Sequence, residues 1–231
     1  MDTIFRKEIA SGDVIIYMDD ILIATKENLL HYCNKVTFIL KKLQDNNLFL
    51  KLEKCLFHQK EVEYLGVIVG KGQVKMDPTK VDAITIWPEP RSVTQLWLFL
   101  GFGNYYKDFI KDYSKIAKPL HDMTIKKANW GTDLHLSGPS LEVFTKLKCL
   151  FTSYPVLRNP DPAKQYILDS DVLAYAVGTT ISQNFKDGRH PIAYFSKSLL
   201  PAECNYDIYD WELLAIIYAV KAFRYLLLGA Q

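Results

Sequence analysis

The sequence of 231 residues is poor in cysteine, and its four cysteines are too scattered to organise a fold. Cys33, Cys55, Cys149 and Cys204 form no CxxC pair, which argues against a disulfide framework. Cys55 and His58 make a lone CxxH, but a structural zinc ion needs four ligands. We therefore predict buried or unreactive thiols in a reducing compartment.

Long hydrophobic runs and a strong charge of one sign are missing too. No run approaches the ~18 apolar residues of a membrane span, and the N-terminus lacks a signal-peptide pattern. The net charge of +2 is too small to indicate nucleic-acid binding by itself. What is present, 49% hydrophobic and 23% charged residues with 14 Tyr, 12 Phe and 4 Trp, is typical of a soluble globular protein. The length allows one large domain or two smaller ones.

Two adjacent carboxylates stand between apolar runs near the start of the chain. Asp19 and Asp20 end the tetrapeptide YMDD, which is flanked by VII and ILI and would form the tip of a β-hairpin. A desolvated carboxylate needs a partner, and paired hard oxygen ligands suit Mg²⁺. A solvated turn is the alternative, because Asp is ordinary turn chemistry. The local sequence leaves both interpretations open.

Both ends of the chain resemble cuts through larger units. Residues 1–7 run into the first strand with no preceding structure to cover it, although a lone hairpin is marginal in water. The apolar helix predicted at 211–228 stops at Gly229, as at a helix C-cap. We expect missing structure on both sides.

Helical and extended patterns alternate after the hairpin. Apolar spacing predicts helices at 29–43, 78–87, 92–100 and 141–151, and strands at 48–50, 62–69 and 73–76. Asp77 with Pro78, and Ser92, are good helix starts, whereas Gly101 and Gly103 are expected to end the helix predicted at 92–100.

A further helix, predicted at 104–124, carries a row of basic side chains. The row consists of Lys107, Lys111, Lys115 and Lys118. Such a row could follow a phosphate backbone, or it could be a solvated face that Asp108 and Asp112 dilute. Local sequence does not choose between them.

Proline residues mark the best domain boundary. Pro155, Pro160 and Pro162 crowd a predicted linker, after which the pattern indicates strands at 166–171, 175–182 and 191–196 and a helix at 209–228. Three strands and a helix make an α/β unit that is too small to be complete.

This last unit carries a second set of carboxylates. Asp169 and Asp171 share one face of the first strand, and Glu212 heads an otherwise apolar helical stripe. Such carboxylates could converge on divalent metal, as in two-metal nucleases. The alternatives for Glu212 are a salt bridge to Arg189 or Arg224, or simple exposure.

Ordered motifs along nearly the whole chain resemble one family. They are IIYMDDILI (15–23), KCLF (54–57), YLG (64–66), WPEP (87–90), FLG (99–101), NYYKDFI (104–110), PVL (155–157), LDSD (168–171), GTTISQ (178–183), HPIAYFSK (190–197) and ELLAI (212–216). Together they resemble the Pol polyprotein of gypsy-type LTR retrotransposons, from the late reverse-transcriptase palm into RNase H.

The resemblance implies a mixed α/β (α+β) fold in three parts. Residues 1–76 would be the C-terminal part of the palm, 77–160 a mostly helical thumb with a linker, and 161–231 the N-terminal half of an RNase H-like domain. The implied functions are RNA-directed DNA synthesis and hydrolysis of the RNA strand of hybrids. The implied partners are Mg²⁺, a template–primer duplex or RNA–DNA hybrid, and the rest of the polyprotein, in a cytoplasmic particle or the nucleus.

The resemblance also implies roles for particular residues. The catalytic metal ligands would be Asp19, Asp20, Asp171 and Glu212, with Asp169 not a ligand. The nucleic-acid contacts would be Tyr17, Met18, Leu65, Gly66, Lys107 and Lys111. In this family the Leu65-Gly66 turn would hold the primer end.

Departures from the family pattern limit what the chain is expected to do. The third polymerase Asp and the fingers would precede Met1, and further RNase H carboxylates would follow Gln231, so neither metal site would be complete. Val172 and Leu173 replace a usual Ala-Ser pair, and Trp97 replaces a usual Arg, which suggests a degenerate or fragmentary copy. We expect no catalysis by this chain alone. The alternatives are an inactive nucleic-acid- or protein-binding remnant, or a translated pseudogene without a stable fold.

Overall fold

The computed structural model describes residues 1, 3–25, 28–125, 135–153 and 156–228. Contacts divide the chain into two compact units, Met1–Gln59 and Lys60–Gln231. Each combines helices with antiparallel strands, so the predicted α/β (α+β) class is confirmed. Within the described residues, no helix has both the length and the apolar character to cross a bilayer. The domain boundaries after residues 76 and 160 stay a prediction.

The first unit is a hairpin covered by helices. Its elements are α1 (Arg6–Ala10), β1 (Val14–Tyr17), β2 (Asp20–Ile23), α2 (Leu29–Asp45) and a 3₁₀ turn (Leu52–Lys54). The strands pair from Val14 with Ile23 at the base to Tyr17 with Asp20 at the tip. The strand predicted at 48–50 is wrong, because this segment has no regular structure and the Phe49 side chain is 93% exposed.

Helical side chains bury one face of this hairpin. The buried core consists of Phe5, Val14, Ile39 and Leu43. The expectation that residues 1–7 run uncovered into the strand is therefore wrong, since α1 intervenes and Phe5 is fully buried. Period-two alternation turns Ile15 and Tyr17 the other way, and both are about half exposed.

The second unit contains two sheets and the remaining helices. Its elements are β3 (Glu61–Tyr64), β4 (Val67–Gly70), β5 (Gln73–Met76), α3 (Pro78–Thr85), α4 (Val93–Tyr105), a 3₁₀ turn (Lys107–Phe109), α5 (Tyr113–Ile125), α6 (Pro139–Thr152), β6 (Val156–Arg158), β7 (Ile167–Leu173), β8 (Ala176–Phe185), β9 (Gly188–Ser198), a 3₁₀ turn (Glu203–Asn205), α7 (Ile208–Ala222) and α8 (Arg224–Leu227). The sheet orders are β3-β4-β5-β6 and β7-β8-β9.

Strand β6 lies in the segment predicted as a linker. It closes the first sheet by pairing Leu157 with Val74, and Leu157 is buried in the helical core. The prolines correctly indicated a break in helical structure. The segment is not a solvated linker, however, because burial of the apolar Leu157 side chain stabilises a strand there. Pro155 itself lies outside the described residues.

The helices of this unit begin as predicted but divide differently. The Asp77 side chain accepts a hydrogen bond from Thr79 N–H, and the Ser92 side chain accepts one from Gln95 N–H. The helix predicted at 104–124 is wrong as one element. Helix α4 continues to Tyr105, a 3₁₀ turn follows, and α5 starts after Asp112, whose φ of 57° no α-helix accommodates.

The predicted three strands of the last part are confirmed, and helices cover both faces of that sheet. The helix predicted at 209–228 forms but divides at Phe223 into α7 and α8. Val177 and Ile181 of β8 point toward α7, where Ala215 and Ala219 pack against them. The alternate residues of the same strands face α5 and the 3₁₀ turn before it. The same alternation applies to β7, so that successive side chains of this strand face α5 and α7 in turn.

Candidate metal carboxylates and nucleic-acid interface

The β1–β2 turn presents the first carboxylate pair to solvent. Met18 has a φ of 53°, a left-handed conformation that costs a non-glycine residue on the order of 1 kcal/mol. Met18 is 76% exposed, and Asp19 and Asp20 are exposed as well. Neither carboxylate makes an ion pair or hydrogen bond within the described part of the chain. The predicted solvated turn is therefore observed, and no cation among the described residues neutralises its two charges.

These donors fit part of a divalent-metal site. Carboxylate oxygens are the ligands that hard cations prefer, and these two are accessible and unpaired. A full set is not present, since no group of three or more His, Cys, Asp or Glu side chains among the described residues is placed to hold a metal ion. Asp19 and Asp20 could supply some of the ligands of such an ion, but not all of them.

Asp171 has a different environment from Asp19 and Asp20, because a lysine side chain forms an ion pair with it. The Lys115 ammonium lies 2.5 Å from Asp171 Oδ2 and 3.1 Å from Asp171 O, and 3.2 Å from Asp112 Oδ1. The Lys115 side chain is only 7% exposed. A cation of the protein itself therefore pairs with this carboxylate.

A cross-strand row of residues holds this lysine in place. Asp171, Gly178 and Ser196 are successive partners on β7, β8 and β9. A Cβ on Gly178 would lie 1.8 Å from Asp112 Oδ1, and Ser196 Oγ accepts from Ser114 N–H at 2.9 Å. The start of α5 thus docks onto the sheet at a position that only glycine leaves open.

The other predicted RNase H carboxylates do not complete a metal site. Glu212 is exposed, with no ion pair or hydrogen bond to any described residue, so of the predicted alternatives exposure is the one observed. Asp169 pairs with Arg189, whose Nε also donates to Ser182 Oγ at 2.6 Å. In this arrangement the residues around Asp171 do not fit a divalent cation.

The predicted basic row does not exist as a surface. Its members fall in a 3₁₀ turn (Lys107), a loop (Lys111) and α5 (Lys115 and Lys118). Lys115 is buried, and Lys118 pairs with Asp122 at 2.9 Å. Lys111 is exposed beside a shallow groove that Arg189 and Tyr194 also line. The prediction of a basic row is wrong because the break at Asp112 separates these lysines into elements that do not share one helical register.

The predicted Leu65-Gly66 turn joins β3 to β4 and is held by two tyrosines. Leu65 has a φ of 50° and Gly66 a φ of 72°. The Tyr105 hydroxyl donates to Leu65 O, and the Tyr106 hydroxyl donates to Gly66 O at 2.8 Å. Burial, and secondarily Tyr105, raises the pKa of Tyr106 to about 12, so this hydroxyl stays a donor at neutral pH. Sequence reasoning missed both tyrosines.

Helix α4 exposes an apolar face that sequence reasoning also missed. Trp97, Gly101 and Tyr105 are spaced four residues apart, and the two aromatic side chains are 61% and 60% exposed. Gly101 and Gly103 lie inside the helix, so the predicted stop before Gly101 is wrong. A Cβ on Gly103 would meet Tyr113 Oη at 2.3 Å, whereas a Cβ on Gly101 would meet nothing within 4 Å. Packing explains Gly103 and leaves Gly101 unexplained.

Comparison with known proteins identifies the family. Residues 1–69 match the family described as reverse transcriptase (RNA-dependent DNA polymerase), and residues 139–231 match the RNase H-like domain found in reverse transcriptase. The retrovirus-related Pol polyprotein from transposon 297 of Drosophila melanogaster is 39% identical over 94% of the chain. The chain belongs to the Pol polyproteins of gypsy-type retrotransposons.

Other Pol relatives agree with this assignment. The chain is 37% identical over its full length to the polyprotein from Drosophila transposon opus, and 32% identical over 95% of its length to the Tf2-3 polyprotein of Schizosaccharomyces pombe. It spans about a fifth of these relatives, covering 20%, 23% and 16% of the 297, opus and Tf2-3 proteins. Reverse transcriptase and RNase H families generally use divalent metal ions.

Solved structures show the same fold. The foamy viral protease–reverse transcriptase in complex with an RNA/DNA hybrid aligns over 99% of this Pol chain and 30% of its own, with a TM-score of 0.81 and 20% identity. The same protein in complex with double-stranded DNA aligns over 99% and 48%, with a TM-score of 0.76 and 19% identity. At these identities the likeness establishes the fold.

Proposed function

We propose that the intact protein is an RNA-directed DNA polymerase with RNase H activity, in which this chain holds the template–primer duplex and supplies part of the polymerase metal site. The observation that carries the proposal is the exposed face of α4, on which Gly101 lies between two aromatic side chains without any packing reason. Such a surface is built for a partner whose backbone comes close.

A nucleic-acid duplex suits this face. Glycine removes the side chain that would keep a sugar–phosphate backbone away, while Trp97 and Tyr105 provide flat apolar contacts on either side of Gly101. The foamy viral neighbours are themselves complexes with double-stranded DNA and an RNA/DNA hybrid. The Leu65-Gly66 turn lies against the end of the same helix, and Lys111 is a further contact that we propose for phosphate.

Asp19 and Asp20 would hold Mg²⁺ in the intact protein. The ion would neutralise charge that develops on the transferring phosphoryl group. The contribution of the hairpin is to present two unpaired carboxylates at an exposed turn, with Tyr17 and Met18 beside them as proposed nucleic-acid contacts.

A non-catalytic role for the RNase H-like part is the second candidate. Lys115 neutralises Asp171 and no described carboxylate joins it around a metal, so docking of α5 is what Asp171 does in this arrangement. Hydrolysis that uses Asp171 and Glu212 stays a proposal for the intact protein, and would require Lys115 to release Asp171.

Duplex binding by the purified chain tests the proposal. We expect a fluorescein-labelled RNA–DNA hybrid to bind by fluorescence anisotropy, and Gly101→Leu to weaken binding about tenfold by blocking close approach. The matched control is Thr145→Leu, which adds the same side chain at another exposed helical position, on α6. Equal affinities for both variants and wild type would exclude α4 as the interface. On a poly(rA)/oligo(dT) template we expect no primer extension above that of the Asp19→Asn/Asp20→Asn protein.

A further inference from the structure

The two consecutive tyrosines at the end of α4 differ in burial and in what their rings contact. Tyr106 is 3% exposed and packs against Phe102 and Phe109, with ring centroids 5.0 and 6.2 Å apart. Tyr105 keeps most of its ring on the exposed α4 face and makes an edge contact with Tyr106 at 4.8 Å. Yet both hydroxyls reach the same two-residue turn, 40 residues earlier in the chain.

The turn has room for these hydroxyls because of Gly66. A Cβ there would lie 3.3 Å from each of the two hydroxyl oxygens, closer than most such contacts in proteins. Its φ of 72° also disfavours any other residue. The glycine that the family resemblance connects with nucleic acid is thus needed for the protein's own hydrogen bonds.

The hydrogen bond from Tyr105 fixes the orientation of the peptide group between Leu65 and Gly66. Tyr105 binds Leu65 O, and in a planar trans peptide the following N–H points the opposite way. Gly66 N–H therefore points away from α4, and it donates to no residue in the described parts of the chain. Outward backbone N–H groups are common donors to phosphate oxygens.

We propose that Tyr105 and Tyr106 are positioning residues for nucleic acid, holding the Leu65-Gly66 turn so that its outward side and the exposed face of α4 form one rigid surface at a duplex end. The inference rests on the proposed duplex-binding function. Neither hydroxyl contacts the nucleic acid in this arrangement. Each acts through the turn.

The test compares two ligands rather than one. A hybrid with a recessed 3′ end presents a primer terminus, and the same hybrid closed by a hairpin loop at each end does not. The ratio of the two dissociation constants measures the contribution of the turn to binding of the primer terminus. A general loss of stability would instead weaken the binding of both ligands equally. The variants are Tyr105→Phe, Tyr106→Phe and the double variant. Tyr113→Phe is the control, because its buried hydroxyl donates to Leu100 O, at 3.5 Å, and not to the Leu65-Gly66 turn.

We expect wild type to prefer the recessed end and the double variant to lose about fivefold in affinity for it, with the ratio falling toward one. Tyr113→Phe should keep the ratio. If the double variant fails to fold by circular dichroism, Tyr105→Phe decides alone, since its ring is 60% exposed and its loss is least structural. An unchanged ratio in folded variants would overturn the inference only. Absence of any hybrid binding by wild type would overturn the proposed function, and this inference with it.

Discussion

Asp19 and Asp171 carry the same side chain in opposite surroundings. The first is exposed at a turn and has no ion pair with any described residue. The second shares a buried ammonium with Asp112, although its own side chain is 67% exposed. Lys115 loses hydration on burial, and the ion pairs with its carboxylate partners offset that cost. Two residues with one predicted role should therefore respond differently to the same substitution.

Asparagine at each position measures that difference. Asp171→Asn should lower the free energy of unfolding of the metal-free chain by about 1 kcal/mol, because it removes a charged partner from a buried lysine. Asp19→Asn should change it by less than about 0.5 kcal/mol. In a double-mutant cycle, Lys115→Met should cost less in the Asp171→Asn background than in wild type. Urea unfolding provides all these values. Identical behaviour of the two Asn variants would mean that the ion pair does not stabilise the docked helix.

Helix α4 shows how one element can serve both the core and a partner. Gly103 is on the buried side, where Tyr113 from α5 lies against it, and Gly101 is on the exposed side with open space around it. Glycine in a helix costs about 1 kcal/mol relative to alanine. The protein accepts that cost twice within three residues, and only the buried instance improves packing.

Alanine substitution separates the two glycines. Gly101→Ala should raise the free energy of unfolding by about 1 kcal/mol. Gly103→Ala should lower it by about 1–3 kcal/mol, because the added Cβ would lie 2.3 Å from Tyr113 Oη. Thermal and urea unfolding measure both, each variant serving as the control for the other. A shift in the same direction for both would show that intrinsic helix propensity, not packing, governs this helix.

Local signals in the sequence predicted where helices begin and which side chains are buried. They did not predict whether a helix continues without a break. The caps at Asp77 and Ser92 depend on neighbouring residues only, and both formed as expected. The apolar residues Phe109, Tyr113 and Leu120 recur at helical spacing within the helix predicted at 104–124, and all three are buried. Yet the helix that would join them is broken, because a 3₁₀ turn and a left-handed residue keep those side chains pointing inward without keeping the helical register. Periodicity reports which side chains are buried, not whether the chain between them is one helix.

The site residues that sequence reasoning missed depend on distant contacts. Tyr105 and Tyr106 contact a turn 40 residues away, and Lys115 contacts a strand 56 residues away. No local pattern encodes such a pairing. The helical spacing of Lys115 predicted a solvated or phosphate-binding face, but tertiary packing placed it against Asp171 instead. Only an exposed glycine within an apolar helix offered a local signal of the α4 surface.

The charge of the whole molecule constrains how it could hold a duplex. With 28 basic and 26 acidic residues, long-range attraction to a polyanion is weak. Several lysines moreover form ion pairs with carboxylates of the protein itself. Examples are Lys115 with Asp171 and Lys118 with Asp122. Affinity must then come from close apolar and backbone contacts plus a few unpaired cations, and salt should weaken binding only modestly.

Lys111 and Lys118 test this expectation with two variants of equal net charge. Each Lys→Gln change removes one positive charge, but Lys111 is exposed and has no ion pair in the described structure, whereas Lys118 is paired with Asp122. If Lys111 contacts a phosphate, Lys111→Gln should reduce the slope of log affinity against log salt by about 0.9, and Lys118→Gln should leave it unchanged. Anisotropy titrations of the RNA–DNA hybrid over a range of salt concentrations give the slopes. Equal reductions in both variants would mean that net charge attracts the duplex, and the α4 surface would lose its claim to specific contact.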